Sequence, residues 1–182
     1  MDRGAELYRR YLAGDDAGVV ELIREYRDGL MLYLNSITHN IVSAEELSED
    51  TFVRLVTKRP RFSGRSSFRT WLYAIGRNLA LDRLRHESKL TALPEAESVA
   101  DMEGLETDFL REERRIAVHR AMGKLNAEYR QVLWLSYFED FSNAETAKLM
   151  HKSKRQVENL LYQAKRTLKE ALHREGFEVE GL

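Results

Sequence analysis

Apolar residues recur along most of the chain at the three- and four-residue spacing that is typical of amphipathic helices. Polar breaks at residues 14–16 and 38–40 separate three such stretches in the first part of the chain. They predict two helices within residues 5–38 and a third from Ala44 to about Thr57. No segment of useful length alternates with the two-residue period of a strand, so the pattern predicts an all-α fold.

The third predicted helix has a start signal and two distinct faces. Ser43 and Glu46 have the spacing of a capping box, which marks the first turn of the helix. We predict that Leu47, Val53 and Val56 point inward. The acidic residues of this helix point largely outward; they are Glu45, Glu46, Glu49 and Asp50.

Residues 62–86 form the most distinctive stretch, a short Gly/Ser loop followed by a predicted helix that runs to about Glu87. One side of this helix is apolar and carries, at helical spacing, Phe68, Trp71, Leu72, Ile75 and Leu79. The surrounding sequence is basic: residues 54–89 contain ten basic and two acidic side chains, although the whole chain has a net charge of −1. Local positive charge is what phosphate contacts require, so this block favours a nucleic-acid partner.

The loop Phe62–Ser67 is too short to read a groove as a helix does. Gly64 permits a turn, the serines offer small donors, and aromatic side chains lie on both sides of the loop. Small polar groups, cations and aromatic faces together suit single-stranded nucleic acid. The spacing of Phe68 and Trp71 nevertheless assigns these two rings mainly to the core.

Residues 89–110 are acidic, contain Pro94 and have the composition of a flexible linker. This segment predicts two small helical domains, at 1–88 and 111–182. In the second domain one helix ends near residues 124–126, and the next has an apolar side made of Tyr129, Val132, Leu133, Tyr137 and Phe138.

Two further capping boxes follow in the second domain, at Ser142–Glu145 and at Ser153–Gln156. They begin a short helix and a longer basic one, which is the pattern of a helix-turn-helix. A recognition helix needs donors and acceptors near its start, with cations for phosphates beside them. The residues that supply these groups are Ser153, Lys154, Arg155, Gln156, Glu158, Asn159, Tyr162, Gln163, Lys165 and Arg166.

Signals for other classes of protein are missing from the sequence. The chain has no cysteine, and its five histidines lack metal-ligand spacing. Phosphate-loop and nucleophile-elbow motifs are absent, as are a signal peptide and an apolar run of membrane-spanning length. We therefore predict a cytoplasmic protein with no catalytic residue, cofactor, metal site or small-molecule substrate.

Three motifs, taken in order, make the sequence resemble the bacterial RNA polymerase sigma factors of the extracytoplasmic-function (ECF) group. They are AEELSEDTFVRLV (44–56), FSGRSSFRTWLYAIGRNLALDRLR (62–85), and LNAEYRQVLWLSYFEDFSNAETAKLM (125–150) with SKRQVENLLYQAKRTLKEAL (153–172). In that family they serve as the polymerase-binding helix, the promoter-melting and minus-ten segment, and the minus-thirty-five-binding domain. The resemblance implies that the chain recruits core RNA polymerase to promoters and helps to open them, and that an anti-sigma factor controls it.

The resemblance also implies roles for individual residues. The helix 44–56 would dock on the clamp helices of the largest polymerase subunit near Glu46, Glu49, Asp50, Phe52 and Val53. A base flipped from the non-template strand would enter the loop of Phe62, Ser63, Gly64, Arg65, Ser66 and Ser67. Asn78 would contact a base, and the phosphates would be held by Arg77, Arg83 and Arg85. The helix from Ser153 would enter the major groove of duplex promoter DNA, and the acidic linker would thread toward the RNA exit path.

The chain departs from the family pattern at the helix-turn-helix. Many members have Gly in the turn, where this chain has His151, so a reshaped or modestly strained turn is expected. Glu158 and Gln163 stand where many members have basic residues. The upstream sequence that this chain reads therefore cannot be taken from other members.

Two alternatives remain open at the level of the sequence. A stand-alone helix-turn-helix regulator would account for residues 125–172 and would leave residues 44–87 without a purpose. A helical adaptor, or an enzyme with an unrecognised site, would account for the charged faces alone.

Overall fold

The computed structural model describes residues 2–90 and 117–177, and every regular element in these ranges is an α-helix. The first range contains α1 (Arg3–Leu12), α2 (Ala17–Thr38), α3 (Ile41–Lys58) and α4 (Phe68–Leu90). The second contains α5, described over 117–123, and then α6 (Ala127–Tyr137), α7 (Asn143–Met150) and α8 (Lys154–Arg174). The predicted all-α fold class is confirmed.

The start of α3 differs from the prediction because Asn40, and not Ser43, caps it. Asn40 has an extended backbone, and its side-chain oxygen accepts a hydrogen bond of 3.1 Å from the Ser43 N–H. This bond satisfies one of the donors that the first turn of a helix leaves unpaired. The helix therefore begins at Ile41, and the capping box predicted at Ser43 and Glu46 is wrong.

The two faces of α3 also differ in part from the prediction. Its buried face packs against α2 and α4 and consists of Ala44, Leu47, Ser48, Thr51, Phe52 and Leu55. Val53 and Val56, predicted to point inward, are 56% and 37% exposed. A helix of 3.6 residues per turn that buries Leu47, Thr51 and Leu55 turns residues 53 and 56 away from the core. Their predicted inward orientation is wrong, and the outer face of α3 is partly apolar.

The helix-turn-helix forms as predicted, with both of its capping boxes. The side chains of Ser142 and Ser153 each accept a backbone hydrogen bond at the third helical position, and the Glu or Gln there returns one. Tyr137 and Phe138, two of the apolar residues that mark this helix in the sequence, are 46% and 48% exposed. The centre of α6 instead faces both α2 and α8, so that its buried residues are Gln131, Val132, Leu133 and Leu135.

The helices of both predicted domains share one continuous core. α2 packs against α6, α4 packs against α7, and the buried apolar residues from both ranges form a single cluster. Of the predicted linker 89–110, residues 91–110 lie outside the described residues, and residues 89–90 belong to α4. The division at 88 and 111 thus stays a prediction.

No helix within the described residues is both long enough and apolar enough to cross a membrane.

Asp2 joins the starts of two helices. One of its carboxylate oxygens accepts a hydrogen bond of 3.1 Å from the N–H of Ala5 in α1, and the other accepts one of 2.6 Å from the N–H of Phe68 in α4. A carboxylate is favoured at a helix start because it meets both unpaired N–H groups and the positive end of the helix dipole. Asp2 therefore fixes where α4 begins and where the preceding loop ends.

We predict that Asp2→Ala lowers the free energy of unfolding by about 1 to 3 kcal/mol, because each lost cap costs roughly 0.5 to 2 kcal/mol. Denaturant titration of the full chain measures this value. Asp16→Ala is the matched control, since Asp16 occupies the cap position of α2 and makes no side-chain cap hydrogen bond there. Equal losses of unfolding free energy in the two variants would contradict the proposal that Asp2 caps both α1 and α4.

The turn of the helix-turn-helix has the left-handed backbone that a Gly would favour. His151 has φ 54° and ψ 44°, and its N–H donates to carbonyls of the last turn of α7. Left-handed backbone is costly for most L-residues, although His, Asn and Asp adopt it more often than others. The turn therefore keeps the expected course, with a modest local strain.

We predict that His151→Val destabilises the chain by about 1 to 2 kcal/mol, because a β-branched residue is strongly disfavoured at positive φ. His151→Asn should stay within about 0.5 kcal/mol of the parent chain, as is usual for an exposed position. Thermal and denaturant unfolding compare the two. A Val variant as stable as the Asn variant would show that this backbone strain has no energetic weight.

Candidate nucleic-acid interface

The loop between α3 and α4 is anchored at both ends and exposed at its tip. Tyr8 donates a hydrogen bond of 2.7 Å to the carbonyl of Pro60, and Asp2 holds the start of α4. The Phe62 ring packs on Phe68 and Trp71, with centroid distances of 5.6 and 5.2 Å. The exposed residues of the predicted loop are Ser63, Gly64 and Arg65.

Phe62 thus supports the loop from within the aromatic cluster, where its ring lies edge-on to Phe68 and tilted against Trp71. Phe68 is fully buried and Trp71 is half-buried against the core, which confirms their predicted assignment. Gly64 has φ 71°, a left-handed conformation that a Gly adopts without strain. The loop therefore has a polar tip that carries the cation of Arg65, and its base is held by the aromatic cluster.

The predicted DNA-contacting residues of α4 lie in two different environments. Asn78 is exposed. The half-buried Arg83 pairs with Glu46 of α3 at 2.8 Å, and the exposed Arg85 pairs with Asp82 at 3.2 Å. Such exposed pairs are weak and exchange readily with other anions.

Arg77, in contrast, is only 8% exposed. Its Nε donates a hydrogen bond of 3.1 Å to Oε1 of Gln131 in α6, and the Tyr33 hydroxyl reaches the same oxygen at 3.4 Å. In this conformation Arg77 cannot contact a phosphate, because α6 covers it. The phosphate contact is not available in this arrangement, and phosphate binding by Arg77 stays a prediction.

A second buried polar cluster lies one turn away on α4, around Glu139. The Tyr73 hydroxyl donates to the Glu139 carboxylate at 2.8 Å, and Arg69 forms a short ion pair with the same oxygen. The Arg69 guanidinium also lies over the Phe141 ring, 4.5 Å from its centroid. Burial, with the adjacent Glu139 carboxylate, raises the pKa of Tyr73 well above its usual range, so the hydroxyl remains a neutral donor.

The loop tip itself touches α7. Ser67 Oγ donates to Glu145 at 3.4 Å, and Lys148 Nζ donates to the carbonyl of Arg65 at 3.0 Å. Partial burial raises the pKa of Glu145, but hydrogen bonds from Ser142 and Ser67 outweigh it, and the pKa lies below the usual value. Glu145 is thus a charged acceptor beside the loop.

None of the partners supplied by α6 and α7 was predicted from the sequence. Glu139 stands in the quoted motif, and Gln131 stands in α6, but neither had a signal that it would be buried. The nearest signal in the sequence is that Glu139 and Asp140 lie between two aromatic residues, Phe138 and Phe141.

The predicted polymerase-binding surface on α3 is exposed, except at one residue. Glu46, Glu49, Asp50 and Val53 face solvent. Phe52 is 5% exposed and lies beneath this surface in the core, so it supports the surface without forming part of it.

The predicted recognition face of α8 is also exposed. Its members are Ser153, Lys154, Arg155, Gln156, Glu158, Asn159, Tyr162, Gln163 and Arg166. Lys165 is half-buried and lies over the Tyr137 ring, 5.1 Å from its centroid. The Gln156 Oε1 accepts from the Ser153 N–H at 2.7 Å as part of the capping box, so this oxygen is already engaged.

No group of three or more His, Cys, Asp or Glu side chains within residues 2–90 and 117–177 is arranged to hold a metal ion.

Two family models match the chain in the order of its structural parts. The model "Sigma-70 region 2" matches residues 22–90, which include α3, the loop and α4. The model "Sigma-70, region 4" matches residues 115–168, which include the helix-turn-helix. Together they match more than half of the chain.

Individual proteins similar to the chain agree with these models. RNA polymerase sigma factor YlaC of Bacillus subtilis is 28% identical over 159 residues, which cover 83% of this chain and 90% of that protein. ECF RNA polymerase sigma factor BldN of Streptomyces coelicolor is 30% identical over 173 residues, covering 91% of this chain and 64% of the relative.

Two solved structures share the fold. The sigma factor RpoE in complex with the anti-sigma factor NepR from Bartonella quintana has a TM-score of 0.71 at 22% identity, covering 84% of this chain and 95% of that one. CnrH in complex with the cytosolic domain of CnrY has a TM-score of 0.68 at 23% identity, covering 95% of this chain and 97% of that one. With both region models in order and relatives of the same kind along its length, the chain belongs to the sigma-70 family, in the ECF group of RNA polymerase sigma factors.

Proposed function

We propose that this chain binds core RNA polymerase through α3, directs it to promoters through α8, and helps to open them with the loop 62–67 and α4. Sigma factors are transcription initiation factors and not enzymes, so the proposal involves no chemistry by the chain itself. The observation that carries it is the exposure of an acidic and apolar α3 face and a polar α8 face, each in a matched region.

The α8 face suits the major groove of the upstream promoter element. Its first turns present Lys154, Arg155 and Asn159 to solvent, and α7 supports them through the capped turn. Arg matches the acceptors of guanine, Asn matches adenine, and Lys neutralises phosphates. Glu158 adds an acceptor that favours cytosine and pairs only loosely with Lys154, at 3.9 Å.

The loop tip suits a base that has left the duplex. Ser63 and Arg65 are exposed beside Gly64, where the backbone leaves open space for a ligand. The energy that is needed to unstack a flipped base must be offset by hydrogen bonds and stacking in the pocket that receives it. The exposed amide of Asn78 on α4 offers a donor and an acceptor for the adjacent strand.

The outer face of α3 suits a helical partner on the polymerase. Val53 and Val56 lie beside Glu49 and Glu46 on one solvent-facing side of the helix. An apolar stripe with charged flanks is typical of helix–helix docking, in which the charges orient the partner.

An anti-sigma factor is part of the proposal. One solved structure of similar fold contains a sigma factor in complex with an anti-sigma factor, and the other contains CnrH in complex with the cytosolic domain of CnrY. Proteins of this fold therefore offer a surface that such regulators bind, and we propose that this chain has a regulator of the same kind.

In vitro transcription with purified core polymerase tests the proposed function. Transcripts that start at defined promoters only when the chain is present support it. Tight duplex binding by the chain alone, with no effect on core polymerase, would instead favour the stand-alone regulator, and neither activity would favour a helical adaptor.

We predict that Asn78→Ala lowers promoter opening by roughly tenfold, since one lost base contact is worth about 1 to 3 kcal/mol. Permanganate reactivity of unpaired thymines measures opening, and competition for core polymerase checks that assembly is intact. Ser88→Ala, at another exposed position of α4, is the control. Full promoter opening by the Asn78→Ala variant would show that Asn78 is not part of the DNA-contacting site.

We predict that Glu49→Lys with Asp50→Lys raises the dissociation constant for core polymerase by about tenfold or more, through reversed electrostatic complementarity. Competition titration against the parent chain measures the effect. Asp16→Lys with Asp28→Lys makes the same charge change at exposed positions of the α2 region, and should have a much smaller effect. Equal effects in the two double variants would point to net charge and not to the α3 surface.

A further inference from the structure

The chain leaves α3 through a strained turn. Arg59 follows the last residue of α3 and has φ 43° and ψ 53°, a left-handed backbone that is costly for residues other than Gly. Pro60 comes next, although the residue before a proline favours extended backbone. Such strain persists only where neighbouring groups hold the backbone in place, and it is concentrated at functional sites. We call residues 59–61, which join α3 to the loop 62–67, the stem.

The groups that hold the stem come from α1. Tyr8 Oη donates a hydrogen bond of 2.7 Å to the carbonyl of Pro60, and Tyr11 Oη donates one of 3.1 Å to the carbonyl of Val56 in α3. The Arg59 guanidinium lies over the Tyr11 ring, 5.2 Å from its centroid. Both tyrosines are buried, with exposed fractions of 2% and 3%. The backbone before and after the strained residue is therefore bonded to the same helix.

Tyr8 also connects the stem to the start of α4. Its ring centroid lies 5.6 Å from that of Phe68 and 5.5 Å from that of Trp71, the two residues on which Phe62 packs. Burial raises the pKa of Tyr8 to about 12, so its hydroxyl remains a proton donor at neutral pH. One side chain thus contacts the stem through its hydroxyl and the base of the loop through its ring.

Close packing on two sides fixes the position of α1. A methyl group at Gly4 of α1 would lie 2.5 Å from Cδ1 of Phe68 in α4. A methyl group at Gly18 of α2 would lie 2.5 Å from the carbonyl oxygen of Leu7 in α1. Because only a residue without a side chain fits at either point, α1 is a fixed support for the stem.

We propose that Tyr8 and Tyr11 are positioning residues for promoter opening, which hold the stem so that the loop tip at residues 63–65 meets a flipped base in one fixed position. The contacts of α1 support the positioning. Its use in promoter opening rests on the proposed function.

A fixed stem lowers the cost of capturing a base. The loop tip is exposed, and Gly64 at its centre has the widest choice of backbone conformations of any residue type. Conformations that a free loop samples must be given up when a ligand binds, which weakens binding, and a preorganised site avoids this loss. The contacts of Tyr8 and Tyr11 order the stem when the chain folds, before DNA arrives.

A spin label can report the position of the loop without polymerase. The chain contains no cysteine, so Ser63→Cys introduces a single thiol at the exposed tip for a nitroxide. Electron paramagnetic resonance then measures the mobility of the label in the full chain. Tyr8→Phe removes one hydroxyl and keeps the ring, and we expect a more mobile label because the Pro60 carbonyl loses its donor. The double variant Tyr8→Phe with Tyr11→Phe should increase the mobility further.

The matched control is Tyr26→Phe, which removes the same group from the same aromatic cluster. The Tyr26 ring lies 5.9 Å from that of Phe68, and its hydroxyl interacts with Glu25 of its own helix. We expect this variant to leave the mobility of the label as it is in the parent chain.

Promoter opening is measured in chains without the label. For Tyr8→Phe we expect permanganate reactivity on a duplex promoter to fall about two- to tenfold, the factor that one protein hydrogen bond is worth. Competition for core polymerase should be unchanged. On a promoter with a mismatched bubble at the minus-ten element, the bases are already unstacked, so the initial rate of transcription should fall much less. Tyr26→Phe should match the parent chain on both templates.

Unchanged mobility of the label in the single and the double variant would overturn the positioning by α1. Higher mobility with normal opening of duplex promoters, or an equal loss on duplex and bubble templates, would overturn the role in promoter opening. Failure of the parent chain to start transcription at any promoter would reject the proposed function and this role with it. The spin-label comparison would still decide whether α1 positions the loop.

Discussion

The packing of α4 against helices from both halves of the chain is the constraint on which the other features depend. On one side α4 contacts α1, α2 and α3, and on the other it contacts α7. Its apolar residues hold the aromatic base of the loop. Its polar residues meet the C-terminal part of the chain: Arg77 contacts Gln131 of α6, and Arg69 and Tyr73 contact Glu139 between α6 and α7. One helix thus positions the loop and determines which cations remain open to a ligand.

This constraint explains why cations at similar sequence positions differ in availability. Arg83 pairs with Glu46 of α3 and Arg85 pairs with Asp82 of α4, whereas Arg77 faces Gln131 of α6. A buried cation without a partner is costly, and Gln131 supplies the acceptor that Arg77 needs in this arrangement.

Much of the local structure could be predicted from the sequence, because its causes are local. The capping boxes of α7 and α8 need only a Ser and a Glu or Gln three residues apart, and both form. The same pattern at Ser43 failed because Asn40, just outside it, caps α3 first. The error at Val53 has a different cause, since the side of a helix that is buried depends on which other helices pack against it.

By itself, the sequence determined the helical content, the helix-turn-helix, the concentration of positive charge before and within α4, and the family. Periodicity, caps and composition act over a few residues and survive in any arrangement of the helices. Only the tertiary structure decided that Phe62 is an anchor, that Phe52 lies in the core and that Arg69 and Arg77 are occupied. Those outcomes depend on contacts such as Tyr73 with Glu139, 66 positions apart, which no local pattern specifies.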